Sequence, residues 1–432
     1  MKKKIIVGFL VVSVAISASG QRSGMMSPYS QYGLGTLADQ SQSAIRGMGG
    51  TGIGLRDGKL VNTLNPASYS AVDSLTMLFD VGLSGQITNF KENGNSVNAR
   101  SADFDYAVGL FRVRKNVGVS FGVLPYSDIG YSYTSSVALN NTIGNLTETY
   151  TGSGGLNQGF LGVGWRPIKP LSVGVNLAYL WGDYTRSVST TGSSVNSLSK
   201  TYSANISSYN VTFGAQWQQP FGKKDVMTLG ATLGLGHKLG ADPTCDIINT
   251  NTSTQVSDTT SFIIKNGLEL PVTFGAGLAW NHDQKLTVAA DFTLQKWGSV
   301  DFPSYNEATS QYTLRSNLLQ DRKRMSLGLD YVPDANHLRN YLKRVHYRLG
   351  AAYATPYYKV NGQDGPKEFS LSAGLGLPLL SKWNLQVAMR PVLNISAQWV
   401  HTSAKDLITD NTFRVTLGLT FNERWFAKWR VD

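Results

Sequence analysis

The chain has 432 residues, of which 41% are apolar and only 16% charged, with 45 Gly, one Cys and a formal net charge of +11. A soluble domain carries about a quarter charged residues and Gly near 7%, so this composition departs from one. A mean hydropathy of -0.15 excludes a bundle of membrane-spanning helices, and a single Cys excludes a disulfide scaffold and a cysteine-based zinc or iron–sulfur site.

Lys2, Lys3 and Lys4 precede an apolar run from Ile5 to Ile16, which the small residues Ser17, Ala18, Ser19 and Gly20 follow. The run is too short for a spanning helix of about 20 residues and has the flanks of a secretory signal peptide. Residues 1-20 are therefore expected to be removed after Gly20, and with no Cys behind the cut no lipid anchor is expected. Residues 21-72 are small, Gly-rich and without alternation, which suits a plug, or hatch, ahead of the first strand. They hold Gly47, Gly49 and Gly50, which permit tight turns, and the tripeptide Asn65, Pro66, Ala67, in which Asn before Pro starts a turn.

From residue 73 to 421 the period becomes two. Between Phe413 and Phe421 every odd position is apolar and every even one polar or Gly, the mark of a strand with one apolar face. Such segments occur near 75-90, 103-113, 117-134, 146-166, 171-188, 202-218, 226-239, 258-280, 285-298, 322-332, 345-360, 367-378, 383-401 and 407-421. Connections at 114-116, 167-170, 219-225, 281-284 and 379-382 are short, whereas 91-102, 135-145, 189-201, 240-257 and 299-321 are long and polar. The connections 333-344, 361-366 and 402-406 break the alternation of lengths. An even strand number with turns at one end and loops at the other predicts an all-β fold, a fourteen-stranded antiparallel transmembrane β-barrel in the outer membrane of a Gram-negative bacterium. It must close, because lipid offers no partner to the backbone of an open edge.

Trp165, Trp217, Trp280 and Trp383 lie beside the short turns and Trp181, Trp297 and Trp399 toward the long loops, as two interfacial girdles. The last strand ends at Phe421, an aromatic-terminated signal resembling the one outer-membrane proteins present to their assembly machinery during insertion. Both chain ends and the short turns are then expected on the periplasmic side. Residues 422-432 form a basic-aromatic tail with Trp425, Lys428, Trp429 and Arg430, either anchored in the interface or held by a periplasmic or outer-membrane protein partner.

The Gly47 to Ala67 segment, the fourteen-strand count and Gly118 to Pro125 together resemble the FadL-type outer-membrane transporters of long-chain fatty acids and other hydrophobic compounds. The resemblance implies a hatch inside the barrel, a hydrophobic ligand near the outer rim and passive exit through a lateral opening at a kink in the third strand. Pro125 cannot donate to a ladder, so it marks either that opening or a bulge. The hatch is either mobile or a static cork.

With apolar positions facing lipid, Asp80, Asp103, Asp105, Asp291 and Asp330 point inward together with Arg324, Arg348, Arg390 and Arg414. They form a salt-bridge lattice that docks the plug through Arg46 and Asp57, or a site for a ligand carboxylate. No enzyme, cofactor or metal is expected: the five His are scattered without metal-ligand spacing, and no nucleophile, base and orienter are nominated. Lone Cys245 is expected to be incidental. Nucleic acid is excluded because the chain is exported and its basic residues gather at one rim. The loops 240-257 and 299-321 are rich in Thr, Ser, Asn and Asp where an apolar groove would be expected. That polarity motivates a second function, a non-transporting barrel subunit of an outer-membrane protein assembly or secretion complex.

Overall fold

The computed structural model describes residues 27–74, 76–92, 94–138, 145–192, 195–337, 339–379 and 391–424. The alternating segments form fourteen barrel strands: β1 (Thr76–Glu92), β2 (Asn95–Arg114), β3 (Val117–Ala138), β4 (Asn145–Trp165), β5 (Leu171–Gly192), β6 (Val195–Phe221), β7 (Asp225–Gly234), β8 (Thr273–His282), β9 (Leu286–Gln295), β10 (Arg322–Tyr331), β11 (His346–Ala354), β12 (Lys367–Pro378), β13 (Val392–Ser403) and β14 (Thr409–Arg424). Each is antiparallel to the next, and β14 returns to β1 with Thr76 opposite Arg424 and Lys91 opposite Thr409, so the sheet closes. Closure gives every strand two neighbours, the condition for crossing hydrocarbon.

Burial follows the pleat. On β1 and β14 the apolar residues Leu83, Ile87, Phe413 and Leu417 are exposed on the outer wall, while polar Asp80, Thr416 and Thr420 are buried within. This inversion of a soluble core is what a lipid-facing wall requires. Trp165, Trp217 and Trp280 are exposed at the short-turn end and Trp399 toward the other. Trp297 corrects the girdle assignment: it is 0% exposed, in the short 3₁₀ turn Trp297–Ser299 past the end of β9, where the chain turns inward and its ring meets Tyr357 at 4.8 Å. Trp383 lies outside the described residues.

Several expected loops are strand. β3, β4, β5 and β6 run for 22, 21, 22 and 27 residues, whereas about 9–11 suffice to span a bilayer. Much of each therefore stands beyond the lipid. There a sheet needs no apolar face, so the described residues of the Ser-, Thr- and Asn-rich runs, 91–92, 95–102, 135–138, 189–192 and 195–201, pair as strand without the alternation. The expected segment 258-280 divides into an outer strand, Ser257–Ile263, and β8. Ser257–Ile263 pairs with Thr244–Thr250, which in turn pairs with the outer end of β6 from Ser197 to Ser203. A second outer hairpin joins Phe302–Asn306 to Gln311–Arg315.

Residues 27 to 72 run inside the ring of strands. Ser27 Oγ donates to Asp410 Oδ2 at 2.8 Å and Tyr29 Oη to the Ile408 carbonyl at 2.6 Å, both beside the short connection before β14, at the long-loop end of the barrel. At the opposite, short-turn end the 3₁₀ turn Pro66–Ala71 packs against β3, β4, β5 and β6. The described inner segment thus starts at the long-loop end, while β14 ends at the short-turn end. Above it a buried apolar cluster with Leu34, Ile129, Leu180, Leu268, Trp297 and Tyr357 occupies the outer lumen.

Candidate functional site

The inner segment is fixed to the wall mainly through its own backbone. Gly49 and Gly50 adopt φ of 71° and 69°, a left-handed pair that glycine takes without strain. That turn follows the one-turn helix α1 (Ser43–Arg46) and aims successive peptide groups outward. The Gly49 amide donates to Ser372 Oγ at 2.8 Å. Arg324 of β10 donates to the Gly49 carbonyl at 2.7 Å and the Gly50 carbonyl at 3.2 Å. Asp291 Oδ2 of β9 accepts from the Gly52 and Ile53 amides at 2.6 and 2.8 Å. The Gly47 carbonyl accepts from Ser372 Oγ at 3.2 Å.

Wall glycines let that backbone approach. A methyl group at Gly350 would overlap the Met48 and Gly49 backbone, one at Gly230 the Ile53 carbonyl, and one at Gly174 the Pro66 carbonyl. At the lower end Asn65 Oδ1 accepts from the Ala67 amide at 3.1 Å and caps the 3₁₀ turn that Pro66 opens. Its Nδ2 donates to the carbonyls of Ile53 and Ala215 at 2.9 and 3.2 Å. Ala67 is fully buried, and its carbonyl accepts from Arg56 at 3.2 Å.

The expected charge lattice is present in part, and much of it holds the inner segment. Arg46 and Asp105 pair at 2.7 Å, nearly buried, and Ser84 donates to Asp105 at 3.0 Å. Asp80 accepts from Tyr106 Oη at 3.2 Å, and the same hydroxyl accepts from the Ser43 amide at 2.8 Å. Arg348 lies 3.3 Å from Asp330, which also faces His346 at 3.0 Å, and donates to Asn394 at 2.7 Å. Asp103 accepts a local bond from Ser101 at 3.1 Å, and Arg414 donates to Gln86 at 2.9 Å. Asp57 corrects the docking assignment: it is exposed and accepts from the Lys59 amide of its own turn at 2.9 Å. Arg390 and the tail residues Trp425, Lys428, Trp429 and Arg430 lie outside the described residues.

Several contacts were missed from sequence. Gln216 of β6, 1% exposed, donates to the Ile53 and Leu55 carbonyls at 3.0 and 2.9 Å. Its position between lipid-facing Ala215 and Trp217 marks it as inward, but alternation does not say what an inward glutamine meets. Asp39 accepts from the Ser41 amide and hydroxyl at 2.9 and 2.7 Å. Burial opposes its charge, yet the guanidinium groups of Arg46 and Arg324 outweigh burial and hold the carboxyl below its ordinary value. Cys245 is buried in the outer hairpin, and burial, then Asp246, push its thiol up to about 11, so it stays protonated.

The third strand carries the break. β2 and β3 pair from Arg114 opposite Val117 only to Ala107 opposite Val123. Beyond that point β2 still pairs with β1 and β3 with β4, with a bulge between Pro125 and Ser127 on β3. Thr36 and Leu37 of the inner segment pair with Asp128 and Ser127 on β3 instead. The Ala38 amide donates to the Tyr126 carbonyl at 3.0 Å, and Gln40 Nε2 to the Pro125 carbonyl at 2.7 Å.

A model of the family described as BamG matches residues 1–432. No curated protein matches the chain. Among solved structures, a FadL homologue of Pseudomonas aeruginosa superposes with a TM-score of 0.61 at 11% identity, covering 90% of this chain and 99% of its own. The toluene transporter TbuX of Ralstonia pickettii gives 0.60 at 13%, covering 88% and 97%. The toluene transporter TodX of P. putida gives 0.59 at 15%, covering 90% and 100%. The fold is that of these FadL-type fourteen-stranded barrels, as the motif order and strand count imply.

Proposed function

The chain belongs to the BamG family, and from its barrel we propose that it is an outer-membrane protein through which hydrophobic compounds pass sideways, where β2 and β3 part, and not down the lumen. The observation that carries this reading is the end of the β2–β3 ladder at Ala107 and Val123, with Pro125 and the bulge just beyond it. Two transporters of the same fold are named for toluene, an apolar substrate. A compound of that class would arrive at the long-loop end, which is the outer face of such barrels, and leave through the seam into the bilayer. Partitioning drives the step, at ~0.8 kcal/mol per buried CH₂. Residues 36–40, which bond the free edge of β3, act as the hatch over the seam. The test is a clamp, Leu37→Cys with Ser127→Cys, whose Cα atoms face each other in the ladder. Uptake of a long-chain fatty acid and of toluene into proteoliposomes falls on oxidation and returns on reduction; unchanged uptake overturns the reading.

A second reading has its own observation. The inner segment meets wall glycines backbone to backbone, and an apolar cluster fills the outer lumen. Such a sealed barrel suits a non-transporting subunit of an outer-membrane protein assembly or secretion complex. Purification in gentle detergent separates the two. A stoichiometric protein partner without uptake supports the subunit, and a monomer carrying lipid or fatty acid supports the transporter.

A further inference from the structure

We propose that the outer strand Ser257–Ile263 is a docking edge that takes up an extended segment of a second, different polypeptide at the cell surface. The outer parts of β3, β4, β5 and β6 continue as one sheet beyond the membrane, and the Thr244–Thr250 strand extends it. Ser257–Ile263 is its last member, pairing along all seven residues with Thr244–Thr250 and, among the described residues, with nothing on its other side.

Proteins usually blunt such edges with Lys, Pro, a bulge or a very short strand. This edge has no Lys or Pro from 257 to 263, its register is unbroken, and every residue but Phe262 is exposed. Its free backbone groups are therefore open to strand addition, in which main-chain bonds give affinity and alternate side chains give selectivity.

The chemistry of the occupant follows from the two faces. Ile263, 60% exposed, stands on the face of Thr259 and Ser261, and Phe262 stands on the other with its ring 5.7 Å from that of Tyr305. The hairpin from 244 to 263 carries Asp246 and Asp258 and no Lys or Arg, in a chain of net charge +11. A neutral or basic strand rich in β-branched residues fits it, and an acidic one does not.

A second copy of this chain does not fit. Two copies in one membrane are related by rotation about its normal, which keeps like strands pointing the same way across it and so gives no antiparallel ladder. A two-fold there would set each residue opposite itself, whereas a parallel ladder needs a stagger.

The experiment uses the purified full-length protein in detergent and a fluorescent peptide of alternating Thr and Val flanked by Lys. Saturable binding by anisotropy is expected, at least tenfold weaker for the same peptide with alternate backbone nitrogens methylated, and at least tenfold weaker for a Thr259→Lys, Ser261→Lys protein. The methylated peptide isolates the ladder without altering the barrel. Absence of saturable binding, or equal binding of the methylated peptide, overturns the proposal. A dimer by ultracentrifugation that the two Lys substitutions dissolve overturns the choice of occupant. None of these results depends on whether the barrel transports.

Discussion

Arg46 has Asp39 of its own segment nearby, but α1 carries it into a lumen where the wall supplies the carboxylate it pairs with. Asp105 on β2 does so from the upper end of the β2–β3 ladder, so the pair ties the inner segment to the wall beside the seam. Removing one partner leaves a buried charge without its counterpart, at ~3–5 kcal/mol. Arg46→Met is therefore expected to lower the urea midpoint of the detergent-solubilised barrel sharply, while Arg46→Met with Asp105→Leu recovers most of the loss. A double variant as weak as the single one would show that packing, not charge, is decisive. Asp39 gives a pH dependence. Its folded value lies below the ordinary 3.8, so its contribution is complete above that value and is lost as pH falls through the lower folded one. Asp39→Asn is expected to cost about 2 kcal/mol at neutral pH, and the cost vanishes in acid; urea midpoints at the two pH values measure it.

At the scale of elements, the barrel was legible because lipid imposes one rule on every strand: Leu417 and Phe413 must face out, and Thr416 and Thr420 in. Where lipid stops, so does the rule. The outer ends of β5 and β6, rich in Ser, Thr and Asn, look like loop in sequence for that reason, and Ser257–Ile263 reads in sequence as one segment with β8. The glycines and the Asn65–Pro66 turn were legible as tight backbone, but their partners Ser372, Gln216 and Asp291 lie hundreds of residues away or sit on strands whose inward neighbours no local pattern names. Pro125 pointed to a break in the ladder; that Thr36 and Leu37 fill it depends on a pairing across 90 residues of chain. Bulk at a wall glycine tests the fit between these elements. Gly350→Val is expected to displace the Met48 to Gly50 turn at ~1–3 kcal/mol. Cysteine accessibility of a Thr51→Cys reporter would rise in that variant if the turn moves.

For the whole molecule, the question is what seals a ring of fourteen strands. Eight strands are filled by their own side chains and 16 to 18 leave an aqueous channel, so fourteen need material from elsewhere. Residues 27 to 72 supply it in the lower and middle lumen through Asp291, Arg324 and Gln216, and the cluster around Leu180, Leu268 and Trp297 supplies it above. The two seals differ in origin, since Leu34 is the inner segment's residue in the outer cluster while most of the others belong to the strands and outer connections. Deleting residues 21–72 should therefore open the lower lumen but leave much of the outer cluster in place. Planar-bilayer recordings are expected to show negligible conductance for the intact protein and a small, unsteady one for the deletion. A second deletion that also removes 240–268 and 299–319 should give a large, steady pore. A large pore from the first deletion alone would mean that the inner segment is the only seal and that the outer cluster collapses without Leu34.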